Sequence, residues 1–302
     1  MMVKLAFGGR GNTAEGLLGA GGPLLRGEPF ERLIEAAGPE DVGNGLSLWK
    51  GPEGMVGLAR LDPKGDLETA AGSLYRELLG AASGLNLYRI WNFVPGINGA
   101  AAGGLENYRA FCRGRSLAFE SLLGPGFTRC LPAASAVGTE APDLTIVFIA
   151  GPCPVVHHEN PGQLPAYNYP EEHGPRSPSF SRATVVGRGD AVDAYVSGTS
   201  SVVGHETVAP GDTVGQLECT IGNLRRISKA CGLGENLCSQ GPGLRHFRVY
   251  LRRAGDLGLV SEEMARQGVI APGDAVSYLR ADICRSALNV EIEVAVRGAI
   301  RT

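Results

Sequence analysis

Residues Leu67 to Val94, "LETAAGSLYRELLGAASGLNLYRIWNFV", read as an amphipathic helix to Leu85 followed by a strand. In the first part apolar side chains recur three and four residues apart, which puts them on one helical face. The tail is rich in the aromatic and branched residues that suit a sheet. A second helix is predicted over Gly104 to Leu123, "GLENYRAFCRGRSLAFESLL", and a closing strand over "LTIVFIA", Leu144 to Ala150. The same order then returns. From Asp212, "DTVGQLECTIGNLRRISKACGL" has helical period, "RHFRVYLRR" from Arg245 is strand-like, "SEEMARQGV" from Ser261 suits a helix, and "DICRSALNVEIEVAV", Asp282 to Val296, ends the unit as a strand. The first strands of the two units match residue by residue, Tyr88-Arg89-Ile90-Trp91 against Phe247-Arg248-Val249-Tyr250. This predicts an α+β fold of two related halves, each a mixed sheet with helices packed on one face.

The totals bound the function. With 302 residues, 43% hydrophobic and 20% charged, the chain has ample length for a core, and chain-wide disorder is excluded. A net charge of −3 and the lack of any long basic run argue against nucleic acid or an acidic membrane as partner. The longest apolar runs fall short of the roughly 20 residues that span a bilayer, and the opening apolar stretch stops at Phe7, too early for a secretory leader. A cytoplasmic protein with a small-molecule partner is the expectation. Seven cysteines without framework spacing read as reduced thiols. The chain divides into a Gly-rich N-terminal extension, 1–45, with long turns and loose ends; a first domain, 46–150; an ordered connecting segment, 151–182; and a C-terminal domain, 183–302. The connecting segment is aperiodic and rich in Pro and aromatics, and is expected to line a site between the halves.

Individual motifs are weak. Gly9-x-Gly11-x-x-Ala14 formally matches a dinucleotide fingerprint, but no second strand ends in an acid at the right distance, so a Gly-rich turn is the default. His157, His158 and Glu159, with Cys153 and His173 nearby, offer metal-ligating atoms at spacings that fit no zinc pattern, so no metal is assigned. Cys112 has basic neighbours but no His partner and reads as a buried helix cysteine. Each of Arg109, Arg113, Arg115, Arg176 and Arg182 alone reads as surface charge, yet several converging would hold carboxylates. "VSGTSSVVGHE", Val196 to Glu206, places Ser197, Gly198, Thr199, Ser200 and Ser201 between a short apolar strand and a loop, where amides and hydroxyls can meet an anion. In the closing strand Val290, Ile292, Val294 and Val296 alternate with Glu291, Glu293 and Ala295, so two acids share one face. Periodicity does not distinguish a solvated acidic face from a working one, nor one glutamate from the other.

Together, "YRIWNFVPGIN", "GLENYRAFCRGRSLAFE", "LPAASAVG", "ENPGQLPAYNYP", "HGPRSPSFSRA", "SGTSSVVGHET" and "LRADICRSALNVEIEV" resemble the chorismatase family in order from about Leu85 to Val296. The resemblance implies that both halves are variants of the YjgF/RidA-like fold. It implies cleavage of the enolpyruvyl ether of chorismate without cofactor or metal. It also implies a glutamate, here Glu291, that protonates the enol ether; Tyr108, Arg115, Tyr167, Arg176 and Arg182, with Ser197 and Thr199, are carried over as substrate-binding. Cys284 and Gly198 resemble the members that make 3-hydroxybenzoate, whereas hydrolytic members look to have alanine there. The alternatives kept open are the hydrolase that yields a dihydroxycyclohexadiene carboxylate, an enzyme making mixed hydroxybenzoates, and a non-catalytic carboxylate-binding protein. Glu293 is left as a surface or neighbouring carboxylate. The first 45 residues depart from the family pattern, and a monomer is favoured.

Overall fold

The computed structural model describes residues 1–9, 11–100, 103–239 and 241–300. An N-terminal segment contributes β1 (Met2–Ala6), β2 (Leu17–Gly19), β3 (Leu24–Gly27) and β4 (Phe30–Glu35). The first half comprises β5 (Glu40–Gly43), β6 (Leu46–Gly51), β7 (Gly54–Leu61), α1 (Leu67–Ala81), β8 (Asn86–Pro95), α2 (Asn107–Leu123), β9 (Ala133–Thr139) and β10 (Leu144–Gly151). The second comprises β11 (Val155–His158), β12 (Ala183–Arg188), β13 (Ala191–Ser200), a small hairpin of β14 (Val202–Val203) and β15 (Glu206–Thr207), α3 (Thr213–Ala230), β16 (Leu244–Leu251), α4 (Leu257–Arg266), β17 (Ala275–Arg280) and β18 (Val290–Ala299). Asp66 and Asp212 start the long helices: each side chain accepts an amide three residues on, from Thr69 and Gly215.

The two sheets follow one path. Their orders are β5-β6-β7-β10-β8-β9 and β11-β12-β13-β18-β16-β17-β3. In each half two antiparallel strands lead through a helix to the third, and a second helix leads to a parallel neighbour, β9 or β17. The last strand returns between the second and third. The helix–strand order repeated in the sequence is the centre of this path. β9 and β17 lay outside that reading because "AASAVGT" and "AVSYLR" are too rich in small and polar residues to show clear alternation.

Side-chain alternation builds three buried layers. Leu74, Tyr75 and Leu78 of α1 and Phe111 and Phe119 of α2 pack on Ile90, Ile146 and Phe148 of the first sheet. Leu217, Ile221 and Leu224 of α3 and Met264 of α4 pack on Val249, Ile292 and Val294 of the second. The opposite faces of the two sheets join in one core that includes Trp91, Phe93, Val147 and Ile149 from one side and Tyr195, Tyr250, Leu279 and Ala295 from the other. Helices therefore cover both outer faces of a two-sheet stack. Glu291 and Glu293 sit on the inter-sheet face of β18, only 3% and 1% exposed, so the acidic face is not solvated.

The Gly-rich start is not loose. β1 is sandwiched between β2 and β4, and Val3, Leu5, Leu18, Leu33 and Ile34 are buried in the inter-sheet core. β3 pairs with β17 and extends the second sheet. The Gly9-x-Gly11 motif leads into a single 3-10 turn, Thr13–Glu15, and no dinucleotide-type helix follows; Arg10 within it lies outside the described residues. A Cβ on Gly11 would lie 2.2 Å from the Gly19 nitrogen, which is why glycine stands there. Leu5→Ala and Ile34→Ala are each expected to cost about 2–5 kcal/mol in chemical denaturation. A loose extension would show almost no change.

Candidate active site

The site begins at an irregularity in β13. Val196 faces Val294 and Thr199 faces Ile292, so Ser197 and Gly198 together oppose the single residue Glu293. Such a bulge re-aims side chains. The Ser197 hydroxyl donates to the Ser181 carbonyl at 2.6 Å and accepts the Ala134 amide at 2.9 Å, tying β13 to β9 of the other half. Gly198 faces Glu291, where a Cβ would lie 2.1 Å from its Oε1. Only a glycine leaves that carboxyl where it is.

A cavity of about 320 Å³ opens here, lined among others by Tyr169, Phe180, Arg182, Ser200, Cys284, Arg285 and Glu291. It leads into a recess of about 30 Å³ that shares Tyr108, Phe180, Gly198, Cys284 and Glu291 and adds Arg115 and Ser135. Glu291 thus stands where the two spaces meet. Its Oε2 accepts the Ser200 hydroxyl at 3.2 Å, while Oε1 has no hydrogen-bond partner among the described residues. Burial first, and the charge of Glu293 second, push its pKa up to about 8, against the weaker pull of Ser200, Arg89 and Arg182. At neutral pH it holds a proton. Burial and the neighbouring Glu291 push the Cys284 thiol up to about 12, so it is a neutral S–H and not a nucleophile.

Glu293 is the opposite case. It accepts Arg89 Nη2, the Ser135 hydroxyl at 2.7 Å and the Tyr250 hydroxyl at 2.6 Å, and lies 3.0 Å from Arg248 Nε. Burial pulls its pKa upward, but Arg248 and Arg89 hold it below the ordinary carboxylate value. Two carboxyls two residues apart are driven in opposite directions by their partners.

The structure brings Glu291, Cys284, Gly198, Tyr108, Arg115 and Arg182 to one place. Tyr108 and Arg115 are seven residues apart on α2 and so share a face. Arg115 is 1% exposed, its Nε and Nη2 lack hydrogen-bond partners among the described residues, and its guanidinium lies 5.1 Å from the Phe111 ring. Arg182 donates to the Leu164 carbonyl at 3.2 Å and the Tyr169 hydroxyl at 2.8 Å.

Four expected residues are not brought there. Tyr167 packs against the first-half core near Glu159, and Tyr169, two residues on, supplies the ring at the cavity. Arg176 forms an ion pair with Glu120 of α2 away from the cavity lining. Ser197 stitches the halves, and the Thr199 hydroxyl donates to the Ser197 carbonyl at 2.9 Å. Ser200, one of the strand-end hydroxyls, lines the cavity, and Ser135 and Arg285 line the site although no motif marks them individually.

His157 contacts Thr184 at 3.1 Å and Cys153 contacts Arg188 at 3.4 Å, whereas His173 Nε2 lies 3.0 Å from His205 Nδ1 with Glu172 3.4 Å from both. Cys112 is buried in α2, and burial raises its thiol pKa. All seven cysteines are free.

A family model described as "Chorismatase FkbO/Hyg5-like, N-terminal" matches residues 40–150. A chorismatase of Streptomyces rapamycinicus is 36% identical over 282 residues, covering 88% of this chain and 82% of that protein. A 3-hydroxybenzoate synthase of Streptomyces hygroscopicus is 36% identical over 281 residues, with 88% and 81% covered. A chorismatase crystal structure at 1.08 Å resolution superposes with a TM-score of 0.79 at 31% identity, over 88% of this chain and 81% of the other.

A carboxyl whose pKa is raised on folding withdraws stability as pH rises from its ordinary 4.5 through about 8. Glu291→Gln mimics the protonated side chain and escapes that loss. The variant is expected to melt several degrees higher than the parent at pH 8 and to lose this advantage near pH 4, as read by calorimetry.

Proposed function

Because the chain belongs to the chorismatase family, we propose that it cleaves the enolpyruvyl ether of chorismate and releases pyruvate and 3-hydroxybenzoate. The observation that carries this reading is Glu291, a buried carboxyl that keeps its proton at neutral pH at the junction of a cavity and a guanidinium-lined recess. An enol ether is cleaved by adding a proton to its methylene carbon. The carbon bearing the ether oxygen then becomes oxocarbenium-like, which weakens the bond from that oxygen to the ring carbon; pyruvate leaves with the oxygen as its keto group, the neighbouring ring hydroxyl oxygen closes on the vacated carbon, and loss of a ring proton aromatises the ring. This step needs an acid with a pKa near the working pH, and Glu291 has one.

The remaining residues fit two carboxylates and an aromatising ring. Arg115 offers two buried N–H directions in the recess, and Arg182 and Arg285 line the outer cavity. Guanidinium groups bind carboxylates through paired hydrogen bonds. Pyruvate and 3-hydroxybenzoate together contain the atoms of chorismate, so this outcome consumes no water. Hydrolysis takes up one water and leaves a non-aromatic acid. Cys284 and Gly198 both border Glu291, where side-chain size decides what can stand beside the acid.

The test is product identification. Purified protein with chorismate alone is expected to give equal amounts of pyruvate and 3-hydroxybenzoate. Absence of pyruvate overturns the reading, and a non-aromatic product moves the chain to the hydrolytic type. Glu291→Gln is expected to lower kcat at least about 100-fold with chorismate binding retained. Arg115→Met is expected to raise KM more than it lowers kcat. The double change Gly198→Ala with Cys284→Ala is expected to divert product toward the hydrolytic acid.

A further inference from the structure

We propose that His173, His205 and Glu172 form a site for a divalent first-row transition ion such as Zn²⁺, and that an ion held there clamps the connecting segment to the β14–β15 hairpin on the wall of the outer cavity. The site stands apart from the chemistry read for Glu291, and the inference does not depend on that reading. His173 ends a single 3-10 turn, Glu171–His173, in the connecting segment, and His205 lies in the hairpin turn between Val203 and Glu206. The fold brings His173 Nε2 to 3.0 Å from His205 Nδ1, with Glu172 Oε1 3.4 Å from each. Two ligand atoms about 2.0–2.1 Å from a tetrahedral zinc ion stand about 3.3–3.4 Å apart, so these three atoms already mark out one face of such a shell. Glu206 Oε1, 3.4 Å from His205 Nδ1, offers a further oxygen.

The rings are held in place. Tyr169 packs against both, with ring centroids 5.1 Å from His173 and 6.3 Å from His205, and the two imidazoles meet edge to face at 76°. The His173 amide donates to the Pro170 carbonyl at 3.0 Å, and Arg285 donates to the His205 carbonyl at 2.8 Å. Two imidazoles and a carboxylate suit a borderline ion better than Mg²⁺ or Ca²⁺, which prefer oxygen alone. Charge also favours a cation: the carboxylates of Glu172 and Glu206 stand against the guanidinium of Arg285, which acts on His173 but is bound to the His205 carbonyl and the Thr207 hydroxyl. Arg109, on the same cavity wall, is paired with Glu106.

The ion would fasten what side chains alone now join. Earlier in the connecting segment, Gly162 and Leu164 bond to the backbone of Gly204 in the hairpin. At the 3-10 turn the link is a ring-to-ring hydrogen bond between His173 and His205, with Tyr169 packed beside it. Tyr169 and His173 on one side, and Glu206 and Thr207 on the other, line the cavity. Coordinate bonds from both sides to one ion fix this wall.

Co²⁺ is the probe, because its visible ligand-field bands report tetrahedral geometry and separate nitrogen and oxygen ligands from thiolates. Protein dialysed against a chelator is titrated with Co²⁺ as the parent and as His173→Gln, His205→Gln and Glu172→Gln, each checked for folding by circular dichroism. The parent is expected to bind one Co²⁺ per chain with a tetrahedral band that Zn²⁺ abolishes and Mg²⁺ does not. Affinity is expected to fall at least about 100-fold in either histidine variant, since even loss of an outer partner of a ligand costs about 10–100-fold, and about 10-fold in Glu172→Gln, where Glu206 can supply the oxygen. Zn²⁺ should slow amide hydrogen exchange over residues 170–174 and 204–207 in the parent and leave the histidine variants unchanged. No tetrahedral band in the parent, a band that survives in the folded double variant His173→Gln with His205→Gln, or a thiolate charge-transfer band from the free cysteines overturns the site. Zn²⁺ binding without slower exchange overturns the clamp. None of these readouts uses chorismate, so their failure is distinct from a failure of product formation.

Discussion

One buried carboxylate, Glu293, is held at once by Arg89 of the first half and Arg248 of the second, and the placement of the two sheets depends on it. The layer between the sheets is otherwise largely aromatic and aliphatic, a surface that would tolerate small slips of one sheet over the other. Ion pairs with fixed geometry do not tolerate them, and removing one member of such a buried set typically costs about 3–5 kcal/mol. The same contacts keep Glu293 ionised, and its charge raises the proton affinity of Glu291 on the same face. Sheet packing and acid strength therefore have one origin.

The two halves share a path but not a chemistry. Opposite Trp91 and Arg89 in the first sheet stand Val147 and Ile149; opposite Tyr250 and Arg248 in the second stand Glu291 and Glu293. Where one half places apolar side chains, the other places its two acids. The first half instead contributes α2, whose Tyr108 and Arg115 line the recess. The cavity is a joint product: the acid comes from one copy of the path and part of its anion-binding wall from the other. The central segment closes it with Tyr169, Phe180 and Arg182.

Much of this was legible in the residues. The repeat showed as a helix–strand order and as two arginines in equivalent places within apolar strands, an unusual position that signals a buried partner. Strand period put Glu291 and Glu293 on one face and could not tell them apart. What separates them is the donor set each meets, drawn from β8, β9, β13 and β16, and such long-range pairings leave no trace in local spacing. Arg176 looked like Arg182 in sequence, yet one pairs with Glu120 and the other faces the cavity. Ser197 and Gly198 are neighbours with different surroundings, Ser197 tied to Ser181 and Ala134 and Gly198 against Glu291, and spacing does not separate them because a bulge breaks the alternation that assigns neighbours to opposite faces. The N-terminal segment reads as loose by its glycine content, although Val3 and Leu5 carry the alternation of a buried strand.

The extra residue in β13 has a consequence for how the protein can change. Beyond the bulge, Ser200 faces Glu291 only because β13 has two residues where β18 has one. Deleting either Ser197 or Gly198 would restore a regular ladder with Thr199 still opposite Ile292 and Ser200 still opposite Glu291, but the two-for-one step that seats Gly198 against the Glu291 carboxyl would be lost. The geometry around the acid therefore depends on chain length at this point as well as on the missing side chain of Gly198.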